Sequence, residues 1–103
     1  MNDQTFAGYR KKILAIIDIF YPQAVVYLFG SRARGNFREY SDIDIAIDAG
    51  DILSGIEHGQ IERMIDLLNI PYKVDVVDFH SVPSALQEAI KREGILWKES
   101  KIN

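Results

Sequence analysis

The 103-residue sequence contains no cysteine. This excludes disulfides, thiolate zinc centres and thiol nucleophiles, and it leaves oxygen or imidazole to hold any metal. Histidine is scarce as well. His58 and His80 are the only two and lie far apart in the sequence, so a hard cation on oxygen ligands is the expected metal. No apolar run approaches the roughly 18 residues needed to span a bilayer, and Met1-Asn2-Asp3-Gln4 lacks the basic-then-apolar start of a secretory leader. A cytoplasmic protein without membrane association is expected. A basic surplus is also missing. Twelve Lys and Arg against fifteen Asp and Glu leave a net charge of -3, which argues against a surface built to hold long nucleic acid by its phosphates. At this length, 48% hydrophobic and 26% charged, the chain has apolar surface for a single core and no room for a second substrate-binding domain. Residues 1–103 are therefore expected to form one domain.

Chemistry is concentrated in residues 30–44, Gly-Ser-Arg-Ala-Arg-Gly-Asn-Phe-Arg-Glu-Tyr-Ser-Asp-Ile-Asp. The apolar run Val25 to Phe29 comes just before, so Gly30 and Ser31 fall where a strand ends and a new element starts. Backbone amides are free at such a turn to hold phosphate oxygens. Arg32, Arg34 and Arg38 form a basic cluster within an acidic chain, which suits a triphosphate better than a duplex. Asp42 and Asp44 are two residues apart in a second apolar run, so on a strand both carboxylates face the same way.

Phe6, Tyr9, Ile13, Ile16, Ile17 and Phe20 recur at helical spacing and predict a helix over 5–21 that stops before Pro22. Strands are expected at 24–29, 42–48 and 72–78. In the second, Ile43, Ile45 and Ile47 alternate with Asp42, Asp44 and Asp48, as in a half-buried strand. Residues 32–37 could be a short helix or a loop. A helix reaching Asn69 is expected after Gly50, with Ser54 and Glu57 resembling a capping box, although Gly55 and Gly59 each weaken its start by up to about 1 kcal/mol. A last helix is predicted from Val82, with Pro83 in its first turn and Gly94 as its cap. The tail Ile95-Leu96-Trp97 then returns to the core or to a partner.

On a strand, Asp75 faces opposite to Val74, Val76 and Asp78, making it the natural third carboxylate. With the second and third strands as neighbours about 5 Å apart, Asp42, Asp44 and Asp75 converge. Two carboxylates about 4 Å apart repel by on the order of 4 kcal/mol at an effective dielectric of 20, so such a trio calls for cations. Two magnesium ions shared with a nucleotide's phosphates meet that need and support in-line nucleotidyl transfer.

Gly30 to Gly35, Ser41-Asp42-Ile43-Asp44 and Val74-Asp75-Val76-Val77 together resemble the motifs of minimal nucleotidyltransferases of the DNA polymerase beta superfamily, and the resemblance covers nearly the whole chain. It implies an α/β (α+β) fold, a small mixed β-sheet flanked by helices. It further implies that Gly30 and Ser31 hold the triphosphate of ATP, that Asp42 and Asp44 carry magnesium, and that Asp75 completes the metal site and helps activate an incoming hydroxyl. Similar small members act as antitoxins. They transfer AMP from ATP to a tyrosine hydroxyl of a partner HEPN-type ribonuclease toxin and release pyrophosphate, and this is the leading expectation, with a homo- or hetero-oligomer as the setting. Two alternatives stand beside it: a non-catalytic nucleotide-binding antitoxin that masks its toxin, and a small-molecule, aminoglycoside-like adenylyltransferase that needs a second subunit.

Other candidates have plainer readings. His80 follows the third strand and could approach the nucleotide, but a loop histidine is the commoner case. Lys73 shares the Asp75 face and suits an ion pair better than a phosphate contact. Asp48 lies about 13 Å beyond Asp44, too far to share its metal. Asp78 falls on the wrong face of a regular strand. Trp97 and Phe37 could anchor a partner, with the core the better place for Trp97.

Overall fold

Ile43, Ile45 and Ile47 are all fully buried, and the strand that carries them organises the molecule. The computed structural model describes residues 3–99. Along it run α1 (Asp3–Phe20), β1 (Val25–Phe29), α2 (Ser31–Arg34), β2 (Ile43–Asp48), α3 (Gly55–Asp66), β3 (Val74–Asp78), a 3-10 turn (Phe79–Ser81), α4 (Ser84–Glu93) and β4 (Ile95–Lys98). The four strands form one mixed sheet in the order β3-β2-β1-β4. β1 is antiparallel to β2 and β4, whereas β2 and β3 are parallel, a pairing that requires the α3 crossover between them. Among the described residues no helix is long and apolar enough to cross a membrane.

The isoleucine face of β2 packs against α1 and α3 through Ile13, Ile16, Ile17, Ile61 and Ile65. Burying an isoleucine contributes about 1.5–3 kcal/mol, so this cluster dominates the stability of the fold. The opposite face is less open than a half-buried strand implies. Ala46, between Asp44 and Asp48, is fully buried under Phe79 and Ile90, because its small side chain admits the 3-10 turn and α4. Only the two ends of that face remain for carboxylates.

The tail after Gly94 is a fourth strand, an element absent from the expected order. Trp97 is 6% exposed; its ring meets Phe6 edge-on at 6.1 Å and lies 5.6 Å from the Arg10 guanidinium, which also donates to the Trp97 carbonyl at 2.9 Å. Lys98 pairs with Asp18 and donates to the Pro22 carbonyl at 2.8 Å. Gly94 caps α4 by donating to the Ile90 carbonyl, without a left-handed backbone. A Cβ there would collide with that same carbonyl oxygen.

Several boundaries differ from expectation for local reasons. β2 begins at Ile43 and leaves Asp42 just outside the sheet, and β3 begins at Val74. α3 stops at Asp66, because Asn69 turns to a φ of 54° and breaks the helical path. α4 starts at Ser84 with Pro83 as its N-cap residue. At the start of α3 the Ser54 hydroxyl accepts from Glu57 N. The reciprocal half of the capping box runs through Tyr21, whose hydroxyl accepts from Ser54 N at 3.2 Å and donates to Glu57 at 2.8 Å.

Asp78 lies on the core face and is 5% exposed. Its carboxylate accepts from Leu53 N at 2.8 Å, Ser81 Oγ at 2.8 Å and His80 N at 3.0 Å, joining the loop before α3 to the turn after β3. Burial pushes its pKa up. The hydrogen bonds from Leu53, Ser81 and His80, with the charge of His80, outweigh this and leave it below the usual carboxylate value. A depressed folded pKa contributes stability that is complete above the unfolded value of about 3.9 and is lost as pH falls through the folded value. Asp78→Asn is therefore expected to lower unfolding stability by about 2–3 kcal/mol at neutral pH, and urea titrations should show this gap closing only below about pH 4.

Candidate active site

Strand register brings the carboxylates together. In the parallel pair Asp44 stands directly opposite Asp75, and in the antiparallel pair it stands opposite Phe29, the residue before Gly30. One row across the sheet thus carries Asp75, Asp44 and the entrance to the Gly30-Ser31 turn. Asp42 is exposed, two residues before Asp44. Gly30 has a φ of 76°, and a Cβ on it would collide with Asp44 Oδ2. Glycine is required here twice over, by backbone sign and by the carboxylate seated against it.

The electrostatics agree with the geometry. Asp44 is pushed above the usual carboxylate pKa first by burial, then by the charges of Asp75 and Asp42, with Lys73 and Arg34 pulling the other way. Two carboxylates and two cations therefore act on the Asp44 carboxylate. Among the described residues no three acidic or histidine side chains stand close enough to hold a metal unaided. The donor set still fits magnesium, which favours oxygen and normally takes only one or two carboxylates alongside substrate phosphates.

Arg32 departs from the expected phosphate cluster. It is 6% exposed, and its guanidinium lies 5.1 Å from the Phe6 ring, 4.9 Å from Phe37 and 4.7 Å from Tyr72. Its Nε donates to the Ser41 carbonyl at 3.1 Å and its Nη2 to the Glu39 carbonyl at 3.4 Å. A guanidinium used in this way braces the 35–42 loop. Arg34 is exposed and acts on Asp44, and Arg38 is exposed with its amide donating to Ser41 Oγ at 2.8 Å. The rings that set the Arg32 role, Phe6, Phe37 and Tyr72, are scattered along the sequence, and only the fold brings them together.

Other candidates fall away from the row. His80 Nε2 meets Asp48 Oδ1 at 2.6 Å, and Asp48 also accepts from Gly50 N at 2.9 Å, so both serve the far end of β2, away from Asp44. His58 Nε2 contacts the Val76 carbonyl at 2.9 Å. Phe37 is half exposed above Arg32.

The chain matches the family described as Polymerase beta, Nucleotidyltransferase over residues 11–102. It is 33% identical over 90 residues to the protein adenylyltransferase MntA of Shewanella oneidensis, with 85% of this chain and 64% of that protein covered, so the chain spans just under two thirds of that relative's length. Among solved structures it is similar to a toxin-antitoxin crystallised with AMP-PNP, at a TM-score of 0.72 and 29% identity, covering 89% of this chain and 74% of that one. It is also similar to the complex of a tri-AMPylated Shewanella oneidensis HEPN toxin with its MNT antitoxin, at a TM-score of 0.67 and 26% identity, covering 90% and 71%.

Two outcomes check this geometry. Arg32→Met is expected to cost about 2–3 kcal/mol by removing two charged hydrogen bonds and the ring contacts. Arg32→Lys should recover less than half of that, because an ammonium lacks the planar fork. Amide hydrogen exchange over 36–42 should speed up in both variants, and unchanged exchange there is inconsistent with a brace. The second outcome concerns Asp44. A folded pKa raised above the unfolded one means the ionised carboxylate costs stability at neutral pH and costs nothing below about pH 4. Asp44→Asn should therefore unfold at the same or higher temperature than wild type without divalent ions. Magnesium added together with ATP should raise the unfolding temperature of the wild type and not that of Asp44→Asn.

Proposed function

This chain belongs to the polymerase beta nucleotidyltransferase family, and we propose that within it the chain is an antitoxin that transfers AMP from ATP to a tyrosine hydroxyl of a HEPN-type toxin. The observation that carries this reading is the row of Asp75 and Asp44 abutting the Gly30-Ser31 turn. It offers a place for phosphates beside a place for a proton and a cation. The relatives named above, one an adenylyltransferase and one bound to an AMPylated HEPN toxin, support the choice of acceptor. ATP as substrate sets the reaction in the cytoplasm.

Gly30 and Ser31 hold the triphosphate through their backbone amides and the Ser31 hydroxyl, with Arg34 at the exposed end of α2. Asp42, Asp44 and Asp75 would hold magnesium together with the substrate phosphates, and the ion would supply neutralisation of phosphate charge. Asp75, across the row from Asp44 and exposed at the sheet edge, takes the proton of the acceptor hydroxyl. The hydroxyl oxygen then bonds to the α-phosphorus while the bond to the bridging oxygen breaks, and pyrophosphate leaves with that electron pair. Most of the rate comes from holding these groups in line and from charge complementarity. Arg32 contributes by fixing the loop that ends at Asp42.

Incubation with magnesium, α-labelled ATP and a HEPN-type toxin should label the toxin and add AMP masses to it. Asp44→Asn and Asp75→Asn should each reduce labelling by at least about 100-fold while remaining folded. A silenced toxin in a stable complex without any label would mean that the chain acts by masking.

A further inference from the structure

A cavity of about 280 Å³ lies beneath the start of β3, beside the row of carboxylates. Ile65, Ile70 and Val74 line it with apolar surface, and Tyr72 adds an aromatic wall. Glu62, Asp66 and Asp75 give it three acidic groups against the single cation of Lys73. Asp75 therefore belongs both to this cavity and to the proposed transfer site.

β3 is an edge strand. Ile43 N donates to the Lys73 carbonyl at 2.8 Å, and in a parallel ladder with Ile43 opposite Val74 this turns the N–H and C=O of Val74 away from β2. The Val76 carbonyl faces the same outer side but is taken by His58 at 2.9 Å. The accessible edge is thus short, and it lies directly over the cavity.

We propose that this edge and the cavity beneath it dock the acceptor as an extended polypeptide segment in which a cationic residue stands next to the modified tyrosine. The proposal rests on the transferase reading above. Successive side chains of an extended segment fall on opposite sides of the sheet it joins. A tyrosine on the Asp44 and Asp75 side therefore sends its neighbour to the α3 side, where the cavity opens. An arginine or lysine there lays its methylene stem on Ile65, Ile70 and Val74 and brings its charge to Glu62 and Asp66. Hydrogen bonding to Val74 sets the depth of the segment and places the hydroxyl beside Asp75. The cavity thus acts as a specificity pocket for the residue flanking the acceptor.

Short acetylated peptides with Arg, Leu or Glu beside a single tyrosine are the probe, followed by NMR on the nitrogen-15-labelled chain. Arginine peptides are expected to shift the amides of Asp66, Tyr72, Val74 and Asp75 and to bind at least tenfold tighter than glutamate peptides. The exposed double variant Glu62→Lys, Asp66→Lys should invert that order, and with the whole toxin it should raise KM for the toxin at least tenfold while leaving KM for ATP unchanged. Equal binding of the three peptides, shifts centred elsewhere, or no binding at millimolar concentration overturns the docking site. Peptides that dock here while wild type labels no acceptor would sink the transferase reading and leave the docking site standing. Transfer to the toxin at wild-type KM by the double variant would do the reverse.

Discussion

Everything at the candidate site depends on the strand register that sets Asp44 between Phe29 and Asp75. Because side chains alternate along a strand, a slip of one residue would send Asp44 into the core and bring Ile43, Ile45 and Ile47 to the surface. All three isoleucines are fully buried, and exposing them would forfeit about 1.5–3 kcal/mol each before the cost of burying charge is counted. The hydrophobic core therefore fixes where the acids stand. A site that depends on like charges held close together needs such an anchor, since its own electrostatics act to push the strands apart.

The neighbours of the row show how that repulsion is contained. Gly30 lets the Asp44 carboxylate rest against the backbone, so the acid is held by contact rather than by a counter-charge. Lys73 and Arg34 offset part of the field without outweighing it, in keeping with the proposed cation that arrives with substrate. Arg32 is spent elsewhere, on the carbonyls of Glu39 and Ser41. Its guanidinium sits among three rings and fastens the loop whose last residue, Asp42, lies outside the sheet. Asp44 is positioned by the ladder and Asp42 by this brace, so two kinds of order converge on one pair of acids.

Much of this was legible in the residues. The alternation of isoleucine and aspartate in β2, the opposite placement of Asp75 and Asp78, and the break before Pro22 each follow from a single local rule, and the structure agrees with them. The misses share a cause, which is information held by the tertiary partner. β4 is four residues long, and Ile95-Leu96-Trp97 looks like a tail until Phe6 and Arg10 of α1 meet the indole. Ala46 alternates with polar residues like any solvent-facing position, yet it is buried because Phe79 and Ile90 arrive from a later part of the chain. Arg32 carries the charge a phosphate would want. Its direction is set by Phe6, 26 positions earlier, and Tyr72, 40 positions later.

The two edges of the sheet are treated differently, and this asymmetry bears on how an acceptor can approach. At one edge β4 is held to α1 by Trp97, Arg10 and the Lys98 contacts. Over the middle of the carboxylate face, α4 and the 3-10 turn cover Ala46. On the β1 side of the row stands the Gly30 turn, where the proposed reaction seats the phosphates. What remains beside Asp75 is the β3 edge, where Val74 turns its peptide groups outward above a cavity that reaches the same acid. An in-line displacement needs the incoming oxygen opposite the leaving group. With the phosphates on the β1 side, as proposed, that direction is the β3 side, so the proposed reaction and the open edge agree on where an acceptor enters.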